Sequence, residues 1–211
     1  MWSILGIELD AYSSYQAACG TRLPTSQGSS MSRLSVIKPE EATGQAQELF
    51  ATIKKKIGRV PNAYLTIASH SPAALATMLG ADGVLAAGEL VTADVEAIKL
   101  TVSELAGCDY CVASHTIVGK LAGLSADEMR QIRSGLPTGD GQRDALVRFV
   151  RKVTTTSGTV PQTDLTELLQ AGYSEKQVIE AILAIADITF TNLVNRVNDT
   201  TLDFPKAPAV A

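Results

Sequence analysis

From Met31 onward, apolar side chains recur about every 3.6 residues, and period-two alternation is almost absent. Leu49, Ile53 and Ile57 share one face of a first helix that Gly58 stops. A second runs from Thr92 to Ala106 with Val95, Ile98, Val102 and Leu105 as its apolar face, and another begins near Cys108 or Asp109 and continues towards Leu121. Leu146, Phe149, Val150 and Val153 mark a further helix, ended by Gly158 and Pro161. A long C-terminal helix carries Ile179, Ile182, Ala186, Phe190, Leu193 and Val197 as one stripe, which predicts the face it turns to the core. Ser125 with Glu128 and Ser174 with Gln177 have capping-box spacing, and Pro61, Pro72 and Pro137 fall between segments. The fold class is all-α. Residues 122–128 resemble residues 171–177, 49 positions later, so the bundle has either two related helical halves or a common helix-loop-helix punctuation used twice.

The first 30 residues differ from the rest. Glu8 and Asp10 interrupt their apolar start, no basic residue precedes Arg22, and Thr25 to Ser30 has linker composition. Residues 1–30 read as a disordered or adventitious extension, and residues 31–211 as one helical domain. With 18 Lys and Arg against 22 Asp and Glu, the net charge of −4 offers no basic footprint for nucleic acid. No apolar run approaches the roughly 20 residues of a membrane span. Three Cys cannot all pair within the chain, which disfavours a secreted disulfide framework and points to the cytoplasm.

Two of the 3 Cys and one of the 2 His lie within residues 108–115. Gly107 can close the preceding helix, placing Cys108 and Cys111 in the first turn of the next, where unpaired N–H groups favour thiolate. Cys111 and His115, four apart, share a helix face, so the imidazole can take or stabilise the thiol's proton. Cys108 is close enough to Cys111 to form a disulfide and resolve an oxidised thiol. Three other readings are a thioredoxin motif, which lacks its preceding strand, haem attachment, which lacks a His directly after Cys111, and a zinc site made by Cys108, Cys111, His115 and a carboxylate.

The pattern Glu96-x(11)-Cys108-Asp109-Tyr110-Cys111-x(3)-His115 resembles the alkylhydroperoxidase AhpD / carboxymuconolactone decarboxylase superfamily. Gly58 to Asn62, His70-Ser71-Pro72, Val102 to Glu104, Val197 to Thr200 and Asp203 to Pro205 resemble its peroxidase-related branch. The resemblance covers about residues 31–205 and implies an AhpD-like all-α bundle assembled as trimers or hexamers. It implies a thiol-dependent peroxidase acting on organic hydroperoxides or hydrogen peroxide, regenerated by an external dithiol, with no flavin, haem or metal. Cys111 then corresponds to the peroxidatic thiol, Cys108 to the resolving thiol, and His115 and Glu96 to the relay that deprotonates Cys111. Tyr110 stands where relatives carry His, and its phenol could hydrogen-bond a peroxide oxygen. The decarboxylase branch works without the Cys pair. The alternatives are a lactone decarboxylase using His115 and Glu96 as acid and base, and a non-enzymatic redox-sensing or metal-binding oligomer.

Glu96 could instead form an ordinary surface ion pair with Lys99, three residues on. Glu104 reads as solvated or interfacial, His70 as a turn residue, and Cys19 as a bystander in the leader.

Overall fold

The structure, a computed structural model, describes residues 32–210; the expected N-terminal extension and Cys19 lie outside them. Among the described residues there are nine α-helices and no strand. These are α1 (Gly44–Ile57), α2 (Asn62–His70), α3 (Pro72–Ala86), α4 (Thr92–Leu105), α5 (Asp109–Leu121), α6 (Ala126–Ser134), α7 (Gly141–Thr155), α8 (Gln162–Gln170) and α9 (Glu175–Asn198). The all-α expectation holds.

Helix α4 is the axis of the bundle. Every residue from Asp94 to Ser103 is buried, because α5, α6, α7 and α9 pack around it. Ile98 and Val102 meet Leu146, Val150, Ala184 and Ile188 in the main core. A second core joins Phe50 and Ile53 of α1 to Ile67 of α2 and Leu75 and Leu79 of α3. Both expected capping boxes form, at Ser125 and Ser174, each serine accepting from the amide three residues on. The two restarts then diverge, since α6 runs for 9 residues and α9 for 24.

The C-terminal helix corrects the sequence reading. Ile179, Leu193 and Val197 are 67%, 60% and 64% exposed, and Ile182, Ala186 and Phe190 share that outer face. The face turned inward carries Val178, Ala181, Ala184 and Ile188, followed by Asn192, Asn195 and Asn198. Small side chains let α9 approach α4 closely, so the bulkier stripe is left outside. By length and composition α9 could also cross a membrane, yet Asp187 and Glu180 are among its buried residues.

Candidate functional site

Between α4 and α5 the chain turns through Gly107, whose φ of +61° belongs to the left-handed region that favours glycine. Arg196 of α9 holds the turn, donating from Nη1 to the carbonyls of Ala106 and Gly107 at 2.6 Å each. A Cβ on residue 107 would lie 2.7 Å from that nitrogen. Cys108 is the N-cap of α5, its Sγ accepting from the Cys111 N–H at 3.4 Å. Cys111 is 3% exposed and receives a hydrogen bond from Asn195 Nδ2 at 3.3 Å.

One turn further along α5, His115 Nδ1 lies 2.8 Å from Glu96 Oε2 of α4. A carboxylate facing Nδ1 places the ring proton there and leaves the basic lone pair on Nε2. Cys111, His115 and Glu96 all face one cavity of about 280 Å³, walled mostly by apolar side chains such as Ile53, Met78, Leu79 and Phe204. Cys108 stands behind Cys111, outside that wall.

The two thiols share a proton unequally. Cys108 is held below the usual thiol range, chiefly by the hydrogen bond from the Cys111 thiol and also by the Cys111 amide and the Arg196 guanidinium. Cys111 is pushed up by donating to Cys108, by burial and by the charge on Cys108, against smaller opposing hydrogen bonds from Asn195 and Thr191. Of the pair, Cys108 is the thiol that ionises more readily, with Cys111 as its hydrogen-bond donor.

Tyr110 contributes its ring to the cavity, edge-on to Phe204 with centroids 5.5 Å apart. Its hydroxyl accepts from the Ala63 N–H at 3.2 Å, and burial followed by the charge of Asp203 pushes the phenol well above its usual range. Glu104 accepts from Arg133 Nε at 2.7 Å, and His70 Nε2 lies 2.8 Å from the Ser35 carbonyl, so both are occupied structurally. Among the described residues no three His, Cys, Asp or Glu side chains are grouped to hold a metal ion, so the zinc alternative lacks a donor set.

The surface-pair reading of Glu96 and Lys99 is replaced by a different arrangement. Both are buried, at 3% and 5% exposure, and Lys99 pairs instead with Asp82 of α3 and with Asp187 of α9, the latter at 3.5 Å. All three side chains line the same cavity as Cys111. The sequence signal was available: Asp82 is the sole charge in α3, and Asp187 the sole charge between Glu180 and Arg196.

Asn195 was also missed. Its Nδ2 bonds Cys111, while its Oδ1 is buried without a hydrogen-bond partner.

Fold and site together define a helical-bundle protein with a cysteine pair, a His–Glu pair and a buried charge cluster around one apolar chamber. Residues 72–143 match the carboxymuconolactone decarboxylase family model. A peroxidase-related protein from Ralstonia eutropha JMP134 with an alkylhydroperoxidase AhpD core superposes with a TM-score of 0.73 at 20% identity, over 83% of this chain and 94% of that one. A peroxidase-related protein from Silicibacter sp. TM1040 gives 0.70 at 19% identity, over 84% and 95%. The debrominase Bmp8 gives 0.67 at 20% identity, over 81% and 92%. No curated protein matches the chain at a significant level. The chain thus carries a segment similar to the carboxymuconolactone decarboxylase family and shares the fold of AhpD-like proteins.

Proposed function

We propose that the protein is a cytoplasmic thiol-dependent peroxidase that reduces organic hydroperoxides or hydrogen peroxide through Cys111 and Cys108. The observation that carries this reading is the placement of Cys111 on the cavity wall with the His115–Glu96 pair, backed by Cys108 within hydrogen-bond reach. The dithiol loses one proton through His115 and Glu96. The remaining proton passes to Cys108 as Cys111 attacks. Asn195 Oδ1 accepts the O–H of the peroxide and presents its terminal oxygen to the sulfur. The S–O bond forms as the O–O bond breaks, giving Cys111 sulfenic acid and an alkoxide that takes a proton. Cys108 thiol then displaces the sulfenic hydroxyl as water and closes the disulfide, which an external dithiol reduces.

The exposed stripe of α9 supports a homo-oligomer, trimer or hexamer. It runs about 27 Å along the helix at 1.5 Å per residue, and an apolar band of that length on a soluble chain calls for a cover. A second copy of the same helix, apolar along the same length, is that cover.

The test is mass spectrometry of the reduced protein before and after one equivalent of tert-butyl hydroperoxide. Wild type loses two hydrogens, localised to Cys108–Cys111. The Cys108→Ser variant stops at a sulfenic acid that dimedone traps, and Cys111→Ser consumes no peroxide. Undiminished activity in Cys111→Ser would refute the assignment. The likeness to a debrominase motivates a parallel arm with a brominated aromatic in place of peroxide. Thiol-dependent bromide release without peroxide turnover would make dehalogenation the better reading.

A further inference from the structure

The cavity contains a charged group that the mechanism above leaves unused. Asp82, Lys99 and Asp187 come from three different helices and meet on the cavity wall, each at least nine-tenths buried. Burial by itself would push the Lys99 ammonium down, but Asp82, Glu96 and Asp187 outweigh it and hold the cation. One ammonium balances one carboxylate. A second ionised carboxylate would leave a buried uncompensated charge, which costs several kcal/mol, so the pair of carboxyls retains a proton.

The cluster shares its wall with the groups around Cys111. Asp187, Thr191 and Asn195 are spaced four residues apart on the inner face of α9 and all line the cavity. Asn195 donates to the Cys111 sulfur and offers its unpartnered Oδ1, while the Thr191 hydroxyl, on the same wall, donates to the Ile188 carbonyl. On the thiol-peroxidase reading, a peroxide held at Cys111 occupies the cavity whose wall also carries Asp187.

We propose that Asp187, set by Asp82 and Lys99, is the general acid that protonates the oxygen leaving the peroxide. The step rests on the thiol-peroxidase reading. It balances as Cys111 thiolate plus ROOH plus Asp187 carboxylic acid, giving Cys111 sulfenic acid, ROH and Asp187 carboxylate. The sulfur loses two electrons to the O–O bond, and Lys99 stabilises the carboxylate until solvent returns the proton. An alkoxide leaving in an apolar chamber gains most from such a donor. The division of labour places the base, His115 with Glu96, and the acid, Asp187 with Asp82, on separate groups in one cavity.

Burial and the neighbouring Asp82 charge push Asp187 up to about 7, with Lys99 opposing. The titratable groups sharing the cavity wall with Asp187 are Lys56 of α1, Tyr64 of α2, Asp82 of α3, Glu96 and Lys99 of α4, and Tyr110, Cys111 and His115 of α5. Helix α7 adds apolar Leu146, Phe149, Val150 and Val153 to the core beside α9.

The experiment compares two oxidants that differ in leaving group. Single-turnover oxidation of reduced wild type and Asp187→Asn is followed with tert-butyl hydroperoxide, which expels an alkoxide, and with peracetic acid, which expels a carboxylate needing no proton. Asp187→Asn slows the alkyl hydroperoxide about 100-fold or more and leaves the peracid rate near wild type. In wild type the alkyl hydroperoxide rate falls as pH rises through neutrality; Asp187→Asn lacks that limb. Asp82→Asn removes the charge that keeps Asp187 protonated, so the limb moves to lower pH. Equal slowing of both oxidants, or of neither, overturns the proposal. Failure of wild type to form the Cys108–Cys111 disulfide with either oxidant overturns the peroxidase reading itself, and the proposal with it.

Discussion

The proton on Asp187 has a thermodynamic signature that needs no substrate. Folding raises this carboxyl from 3.8 to about 7. The native protein therefore keeps a proton that the unfolded chain has already lost across that window. Because the folded value is the higher one, the contribution to stability is complete below 3.8 and disappears as pH climbs through about 7. At about 1.4 kcal/mol per unit the whole window is worth about 4 kcal/mol. Between about pH 5 and about pH 8 the wild type loses about 3 kcal/mol of it. Asp187→Asn has no proton to lose at this position. Lys99 is held cationic by its carboxylate neighbours. Guanidinium unfolding of both proteins at the two pH values gives the result directly. The stability of wild type minus that of Asp187→Asn should fall by about 3 kcal/mol from the lower pH to the higher. A difference that stays constant, or that grows with pH, would refute the argument that the Asp82–Lys99–Asp187 group holds a proton.

Replacing Glu96 with Gln leaves an acceptor for His115 Nδ1 but removes the charge that stabilises an imidazolium; stopped-flow oxidation of Cys111 should slow about 100-fold, and an unchanged rate would remove Glu96 from the relay. Tyr110→Phe strands the buried Ala63 N–H, so thermal or denaturant unfolding should show a loss of about 1–2 kcal/mol with peroxide turnover near wild type. A large rate loss at unchanged stability would instead assign the phenol to the substrate. Ile182→Glu combined with Leu193→Glu places charge on the exposed α9 stripe; sedimentation should report monomers of native helicity, and an unaltered assembly would put the interface elsewhere.

Periodicity alone located the helices because each is long enough for an apolar stripe, and the two serine capping boxes marked where α6 and α9 restart. It could not say which way the stripe of α9 faces. A hydrophobic stripe registers that a surface wants covering, whether by the chain's own core or by another molecule. In α9 the core side is built from Ala181, Ala184 and three asparagines, a pattern with low hydrophobic contrast. The α4–α5 half of the site was legible because Cys111 and His115 are four apart on one helix, and helix geometry fixes their common face. The Lys99 pairing was illegible for the opposite reason. Asp82 and Asp187 lie 17 residues before and 88 residues after it, and only tertiary packing brings them together.

The origins of the cavity groups bear on how this scaffold can change its chemistry. Cys108, Cys111, His115, Glu96, Asp82 and Lys99 all fall within residues 72–143, the segment that matches the family model. Asp187, Thr191 and Asn195 come from α9, outside it. The cysteine pair and the His115–Glu96 pair thus belong to that segment, while Asn195, which bonds the Cys111 sulfur, and the Asp187 carboxyl come from a helix whose residues 187, 191 and 195 do not hold the cysteine turn. Arg196 is the exception, since it clamps the Ala106 and Gly107 carbonyls and fixes α9 against that turn. Substitutions at 187, 191 and 195 should therefore redirect which oxidant or electrophile Cys111 accepts. Loss of Arg196 should instead loosen the geometry of Cys108 itself. The same helix turns its apolar side outward, so an oligomer contact there presses on the element that carries the substrate-facing residues, and assembly and turnover should be linked through α9.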